Sequence, residues 1–117
     1  MKKLTEHFAL EEMCFSQSAV RHGIDNGVNA GSEEFRNLKR LCETVLEPLR
    51  VQLGQAVRIT SGYRCRTLNK KIGGAATSQH VIGCAADIHA DGLTPRQVCK
   101  EIKKLGLPFD QLILEFN

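Results

Sequence analysis

Residues 57–91 read VRITSGYRCRTLNKKIGGAATSQHVIGCAADIHAD and contain two segments that predict β-strands. Apolar and polar side chains alternate over residues 57–60, which is typical of a strand with one buried face. Residues 84–88 form a run of small and apolar side chains that predicts a second, tightly packed strand. Between the two, residues 66–72 predict a short helix that ends at a pair of glycines.

The longest helical pattern precedes this segment. Apolar residues recur at three- and four-residue spacing over residues 35–49, which predicts an amphipathic helix. Ser32 is a suitable N-cap for it, and the glycine-rich residues 22–32 predict a loop before it. Pro48 lacks a backbone N–H, so we expect it to kink or end this helix.

Further elements are predicted toward both ends of the chain. Thr94 and Gln97 form a capping-box pattern at the start of a helix that Gly106 ends. Residues 6–14 predict a short helix, and residues 111–115 predict a final strand. Since strands and helices are mixed without regular βαβ alternation, we expect an α+β fold with a small antiparallel sheet flanked by helices.

The composition limits the class of protein. The 117 residues allow a single domain, residues 1–117, with a core of its own. The net charge is +3, and because the basic residues are scattered they predict no nucleic-acid partner. No apolar run approaches the roughly 18 residues of a transmembrane helix, so we expect no membrane insertion. The N-terminal MKKLTEH lacks the apolar segment of a signal peptide, which predicts synthesis in the cytoplasm.

The five cysteines predict reduced thiols rather than a disulfide framework. Their number is odd, and none forms a C-x-x-C pair. Cys42, Cys84 and Cys99 fall within or beside apolar runs, so we expect them to be buried and to act as small hydrophobic side chains. Reduced cysteines are typical of a reducing compartment.

His80 and Asp87 are the first candidates for a chemical site. A histidine ahead of a strand and an aspartate within it can converge on one ion if the loop between them turns back, and Gly83 allows such a turn. One imidazole and one carboxylate begin a zinc site, although the same pair also arises by chance. Arg64 follows a predicted strand in a turn, where it either binds a carboxylate in a cleft or lies on the surface.

Several short motifs stand in one order and at close spacing in this part of the chain. They are Ser61-Gly62-Tyr63-Arg64, Leu68-Asn69, Gly73-Gly74 and the SxHxxGxAxD pattern of Ser78, His80, Gly83, Ala85 and Asp87. This set resembles the zinc D-alanyl-D-alanine carboxypeptidase family, including its branch of phage endopeptidases. The resemblance extends over nearly the whole chain and implies the hedgehog/D-Ala-D-Ala peptidase-like fold.

The resemblance implies roles for individual residues. His80 and Asp87 match the first two zinc ligands of the family, and zinc is the implied cofactor. Arg64 matches an arginine that polarises the scissile carbonyl or holds substrate. Glu115 is the candidate general base in this sequence, although the family places that group nearer its third zinc ligand. The implied substrate-binding residues are Ser61, Tyr63, Ser78 and Gln79.

The sequence departs from the family pattern at its C-terminal end. The third zinc ligand of the family is a histidine behind the last strand, and the sequence ends at Asn117 before such a residue. We therefore expect a chain that is truncated at its C-terminus. His89, two positions after Asp87, is an alternative third ligand.

Two functions are compatible with these residues. The first is a zinc metallopeptidase, a hydrolase that cuts peptide bonds in peptidoglycan stem peptides as a carboxypeptidase or an endopeptidase. The second is a non-catalytic cell-wall-binding module that retains the cleft of such a peptidase. In either case we expect a monomer whose partners are peptidoglycan peptides and whose site of action is the cell wall.

Overall fold

A computed structural model of the protein describes residues 2–106, which contain six α-helices and two β-strands. The helices are α1 (Leu10–Cys14), α2 (Gln17–His22), α3 (Glu33–Leu41), α4 (Glu47–Leu53), α5 (Arg66–Lys71) and α6 (Pro95–Leu105). The strands are β1 (Arg58–Ser61) and β2 (Asp87–His89), and a π-helical turn (Cys42–Leu46) and a 3₁₀-helix (Gln79–Ile82) complete the set. The strand predicted over residues 111–115, and with it Glu115, lies outside the described residues.

The two strands form the predicted antiparallel sheet, and the described part of the chain is α+β. Ile59 pairs with Ile88, whereas the next pair joins Ser61 to Asp87, so Thr60 is an extra residue on β1. Such a β-bulge bends its strand and changes the direction of the side chains that follow. The end of β1 therefore lies directly opposite the first residue of β2.

The second strand is shorter than the sequence predicts, since β2 begins at Asp87 rather than at residue 84. Gly83 adopts a left-handed backbone conformation with φ of 81°. The N–H of Cys84 donates to the carbonyl oxygen of Gln79 at 3.0 Å. These two features close the 3₁₀-helix, so the chain leaves this turn before it can pair with β1.

The long helix predicted over residues 35–49 continues beyond Pro48, so of the two outcomes expected at Pro48, a kink or an end, the end is wrong. The helix begins after Ser32, whose Oγ accepts the N–H of Phe35 at 3.1 Å. A proline in a helix interior lacks a donor and clashes with the carbonyl four residues earlier. In the π-helical turn just before Pro48, the backbone hydrogen bonds span five residues instead of four, which widens the helix at this point. The helix then runs on to Gly54, which caps it with φ of 64°.

Most of the other helix predictions are confirmed. At the start of α6, Thr94 Oγ1 accepts the N–H of Gln97 at 3.2 Å, and Gln97 Oε1 accepts the N–H of Thr94 at 2.7 Å. Helix α5 lies within the predicted residues, and α1 covers the second half of its predicted segment. Helix α2 has no predicted counterpart. Within residues 2–106, no helix is long and apolar enough to span a membrane.

The core lies between the long helix, the sheet and α6. Its fully buried large side chains include Phe8, Met13, Leu38, Leu41, Leu46, Leu49 and Ile102. Phe8 and Met13 belong to the N-terminal segment, so their burial attaches that segment to the body of the protein. As a result, the backbone of Met13 lies against the residues that follow β1.

All five cysteines, which lie within the described residues, are free thiols as predicted. Cys42 is fully buried, whereas Cys84 and Cys99 are only half-buried, which corrects the expectation for these two. Burial in apolar surroundings disfavours the thiolate. It raises the pKa of Cys42 to about 12 and that of Cys14 to about 11.

Candidate metal centre

The imidazole of His80 is buried, with only 1% of the residue exposed, and it is held by its neighbours. At the start of the 3₁₀-helix, the Oγ of Ser78 accepts the N–H of His80 at 3.3 Å. The Nδ1 atom of His80 lies 2.6 Å from the carbonyl oxygen of Gly62. Because a carbonyl oxygen can only accept, Nδ1 carries a proton, and in the neutral imidazole Nε2 then presents a lone pair.

Two glycines allow the close backbone contacts around this histidine. A Cβ at Gly62 would overlap the carbonyl oxygen of Met13, which accepts the N–H of Tyr63 at 2.8 Å. A Cβ at Gly83 would lie 2.7 Å from a carbonyl oxygen of α3, and its φ of 81° is itself unfavourable for other residues. The turn expected at Gly83 is therefore present, and it brings β2 back toward the 3₁₀-helix.

Asp87 faces His80 across this turn. The Oδ1 atom of Asp87 lies 3.3 Å from Nε2 of His80, and the two side chains are 14% and 2% exposed. Neither atom has a hydrogen-bond partner among residues 2–106. With a neutral imidazole, a lone pair and a carboxylate oxygen face each other away from water, which is unfavourable unless a metal ion lies between them; a proton on Nε2 would instead make the contact an ion pair.

These two atoms fit a zinc ion in both chemistry and spacing. Zinc binds imidazole nitrogen and carboxylate oxygen, and two such ligands of a tetrahedral ion are about 3.4 Å apart. The separation of 3.3 Å agrees with this value. The hydrogen bond from Nδ1 to a backbone carbonyl is also the usual way in which a metal-binding histidine is oriented.

A third ligand is not found within residues 2–106, where no group of three metal-binding side chains occurs. His89 lies on β2, but it is about half exposed and its Nε2 lies 3.1 Å from Oδ1 of Asp91. In this arrangement His89 is engaged with Asp91 and does not join His80 and Asp87. The alternative in which His89 completes the site gains no support.

Arg64 is joined to His80 through the backbone, and it lines a cleft that has neither His80 nor Asp87 in its lining. Its backbone N–H donates to the carbonyl oxygen of His80 at 3.1 Å, so the two residues are joined directly. Arg64 and Ser61 line a cleft of about 510 Å³, together with the exposed side chains of Phe15 and Ile72. The Nε of Arg64 is buried and has no partner in the described part of the chain.

The other predicted substrate-binding residues are placed differently. The side chain of Tyr63 packs against the core, and burial there raises its pKa. Ser78 caps the 3₁₀-helix, and Gln79 lies half-buried at its first position. Of the four residues, Ser61 is the one that the structure places on the cleft beside Arg64.

Asn26 is a residue of this region that the sequence did not single out. It is 7% exposed, and its side-chain nitrogen donates to the carbonyl oxygens of Cys14 and Tyr63, each at 2.8 Å. Its Oδ1 accepts the N–H of Cys65 at 2.7 Å. In the sequence, Asn26 stands in a glycine-rich loop, where asparagine is common for local reasons, and nothing in that pattern distinguishes it.

The family model described as Peptidase M15 matches residues 6–117. The chain therefore belongs to the peptidase M15 family, which agrees with the resemblance to peptidases that the motifs indicate. No curated protein and no solved structure matches the chain.

Proposed function

We propose that the protein is a zinc-dependent metallopeptidase that hydrolyses peptide bonds in peptidoglycan stem peptides, as a carboxypeptidase or an endopeptidase of the D-alanyl-D-alanine type. One observation carries the metal site: Nε2 of His80 and Oδ1 of Asp87 face each other, buried and without partners in residues 2–106. Membership of the peptidase M15 family supports the hydrolytic activity. The hedgehog/D-Ala-D-Ala peptidase-like fold is part of the same proposal.

His80 would hold the zinc through Nε2, and Asp87 would hold it through Oδ1. When bound, zinc supplies polarisation of the scissile carbonyl and a bound water of lowered pKa. The protein orients the imidazole before a metal binds, because the carbonyl oxygen of Gly62 accepts a hydrogen bond from Nδ1. A pre-oriented ligand does not have to be ordered when the metal binds, which favours binding.

Arg64 would act on the substrate in the cleft. Arg64 lines the cleft, and a guanidinium provides donors for a carbonyl oxygen or a carboxylate. Donors of this kind stabilise negative charge on a reacting oxygen when water is excluded. The hydroxyl of Ser61 lies on the same cleft and offers a further polar contact.

The cleft suits a short peptide with small side chains. Phe15 and Ile72 are 62% and 44% exposed, which gives the cleft apolar lining beside its polar groups. Apolar walls with a few placed polar groups are typical of ligand sites. Stem peptides, which are short and rich in alanine, match these dimensions and this chemistry.

The direct test uses the full chain and measures zinc and hydrolysis together. Purified protein is stripped with chelator and reloaded with zinc, and its metal content is measured by mass spectrometry. It is then incubated with stem peptides that end in D-Ala-D-Ala and with cross-linked muropeptides, whose products are identified by mass.

We expect zinc-dependent release of D-alanine or cleavage of a cross-link. Protein that binds zinc and sediments with peptidoglycan but cuts neither substrate would replace the proposal with the non-catalytic binding module. Protein that binds no zinc would remove His80 and Asp87 from the role of metal ligands.

A further inference from the structure

Asn26 occupies a position in which every polar atom of its side chain is used. The amide nitrogen donates to two carbonyl oxygens, and the amide oxygen accepts one N–H. The orientation of the amide is fixed, because both carbonyls need a donor and the N–H needs an acceptor. A buried, fully satisfied amide of this kind holds its partners rigidly.

We propose that Asn26 is a positioning residue for Arg64, an inference that rests on the proposed function of Arg64 in substrate binding. The two residues that flank Arg64 are both bonded to Asn26, through the carbonyl of Tyr63 and the N–H of Cys65. The N–H of Arg64 itself is bonded to the carbonyl of His80. One backbone group in each of residues 63, 64 and 65 is thus held by a hydrogen bond, so the side chain of Arg64 extends from a fixed backbone.

Asn26 also joins the two sides of the cleft. Its third partner is the carbonyl of Cys14, the last residue of α1, and the next residue is Phe15. Phe15 and Arg64 both line the cleft of about 510 Å³. Together with the bond from the N–H of Tyr63 to the carbonyl of Met13, this side chain ties the segment that carries Phe15 to the segment that carries Arg64.

The substitution Asn26→Asp tests the hydrogen bonds of Asn26 while leaving its packing nearly unchanged. Aspartate has nearly the same shape and still accepts from Cys65, but its carboxylate replaces the donor that faces Cys14 and Tyr63. Asn29→Asp is the matched control, since Asn29 is exposed in the same loop. Asn26→Ser, a smaller and uncharged change, serves as a second variant if the aspartate variant does not fold.

The first measurement is amide hydrogen exchange, which does not depend on activity. We expect the amides of Arg64 and Cys65 to exchange at least about tenfold faster in the Asn26 variant, with those of α6 unchanged. Unchanged protection at Arg64 in a folded Asn26 variant would overturn the proposal.

The second measurement is peptide hydrolysis, where a misplaced binding group lowers kcat/KM by about 10- to 100-fold. Combined with Arg64→Ala, Asn26→Asp should cost little more, because both changes remove the same contact. If the two substitutions lower kcat/KM by independent factors that multiply in the double variant, Asn26 has only a structural role and the proposal is overturned. If the wild-type protein cuts no peptide, the proposed function fails, while the exchange measurement still decides whether Asn26 holds Arg64.

Discussion

The carbonyl oxygen of Gly62 accepts a hydrogen bond from Nδ1 of His80 at 2.6 Å, across 18 positions of sequence. This bond decides which ring nitrogen keeps its proton, and so which one is left to bind a metal. Gly62 can come this close because it has no side chain on the face that meets Met13. This bond therefore connects the turn after β1 to the 3₁₀-helix, and the two form one structural unit.

Gly62→Ala tests this unit. The new Cβ would overlap the Met13 carbonyl, so one of the two backbones must move, at a cost of about 1–3 kcal/mol in the free energy of unfolding. The shift would also disturb the bond to His80, and loss of such a supporting contact lowers metal affinity by about 10- to 100-fold. Urea unfolding and zinc competition titrations measure the two effects.

Gly31→Ala is the control for this substitution, since a Cβ there meets nothing within 4 Å and the backbone has no positive φ. Equal stability and equal zinc affinity in the two alanine variants would contradict the role assigned to Gly62.

Asp87→Asn should have opposite effects on the metal-free protein and on the zinc complex. The asparagine amide can donate to Nε2 of His80, so an unfavourable buried pair becomes a hydrogen bond worth about 1 kcal/mol in stability. Zinc loses a charged ligand, and we expect its affinity to fall at least about tenfold. Thermal unfolding with and without zinc separates the two effects.

Asp91→Asn provides the same chemical change at an exposed site. Asp91 pairs with Arg58 and His89 at the surface. Its substitution should leave zinc affinity unchanged. An Asp87 variant that destabilises the metal-free protein and binds zinc as tightly as the wild type would mean that the His80–Asp87 pair is structural.

Elements that depend on neighbouring residues could be predicted from the sequence. The capping box of Thr94 and Gln97 is closed within one turn of helix, so its partners are visible in the sequence itself. His80 and Asp87 are seven positions apart with Gly83 between them, and a local turn is enough to bring them together.

Features that depend on distant contacts could not be predicted. The three partners of Asn26 lie 12, 37 and 39 positions away, and a single sequence gives no sign of them. Pro48 is a helix breaker by local chemistry, yet the helix continues because its apolar face is buried on both sides of the π-helical turn. Tertiary packing outweighs local preference at both positions.

Glu47 holds the N-terminal segment and should make stability depend on pH. Burial raises the pKa of this carboxyl, but bonds from the His7 ring and the His7 backbone outweigh it, so the pKa is lowered overall. The His7 ring donates from Nδ1 to Glu47 at 2.5 Å. A lowered pKa means that the carboxylate stabilises the fold above its unfolded pKa, and that this contribution is lost as pH falls through the folded value.

We therefore expect Glu47→Gln to be less stable than the wild type at pH 7, with the difference shrinking as pH falls below the unfolded pKa of about 4.3 and vanishing below the lowered folded pKa. Glu43→Gln, an exposed change on the same helix, is the control. Urea unfolding at pH 7, 5 and 3 measures the difference. A difference in the free energy of unfolding that stays constant over this range would show that the carboxylate charge is not the source of the stability.

Cys42 should be the least reactive of the five thiols. Burial among apolar side chains raises its pKa to about 12, with smaller contributions from Glu12, Glu47 and Glu43. Alkylation requires the thiolate, which is then scarce at pH 8, and the reagent has no access to the side chain. We expect iodoacetamide to label Cys42 only after unfolding, while half-buried Cys65 and Cys99 are labelled in the native protein. Mass spectrometry of timed digests gives the order, and labelling of Cys42 at the rate of Cys65 would mean that the long helix opens at its π-helical turn.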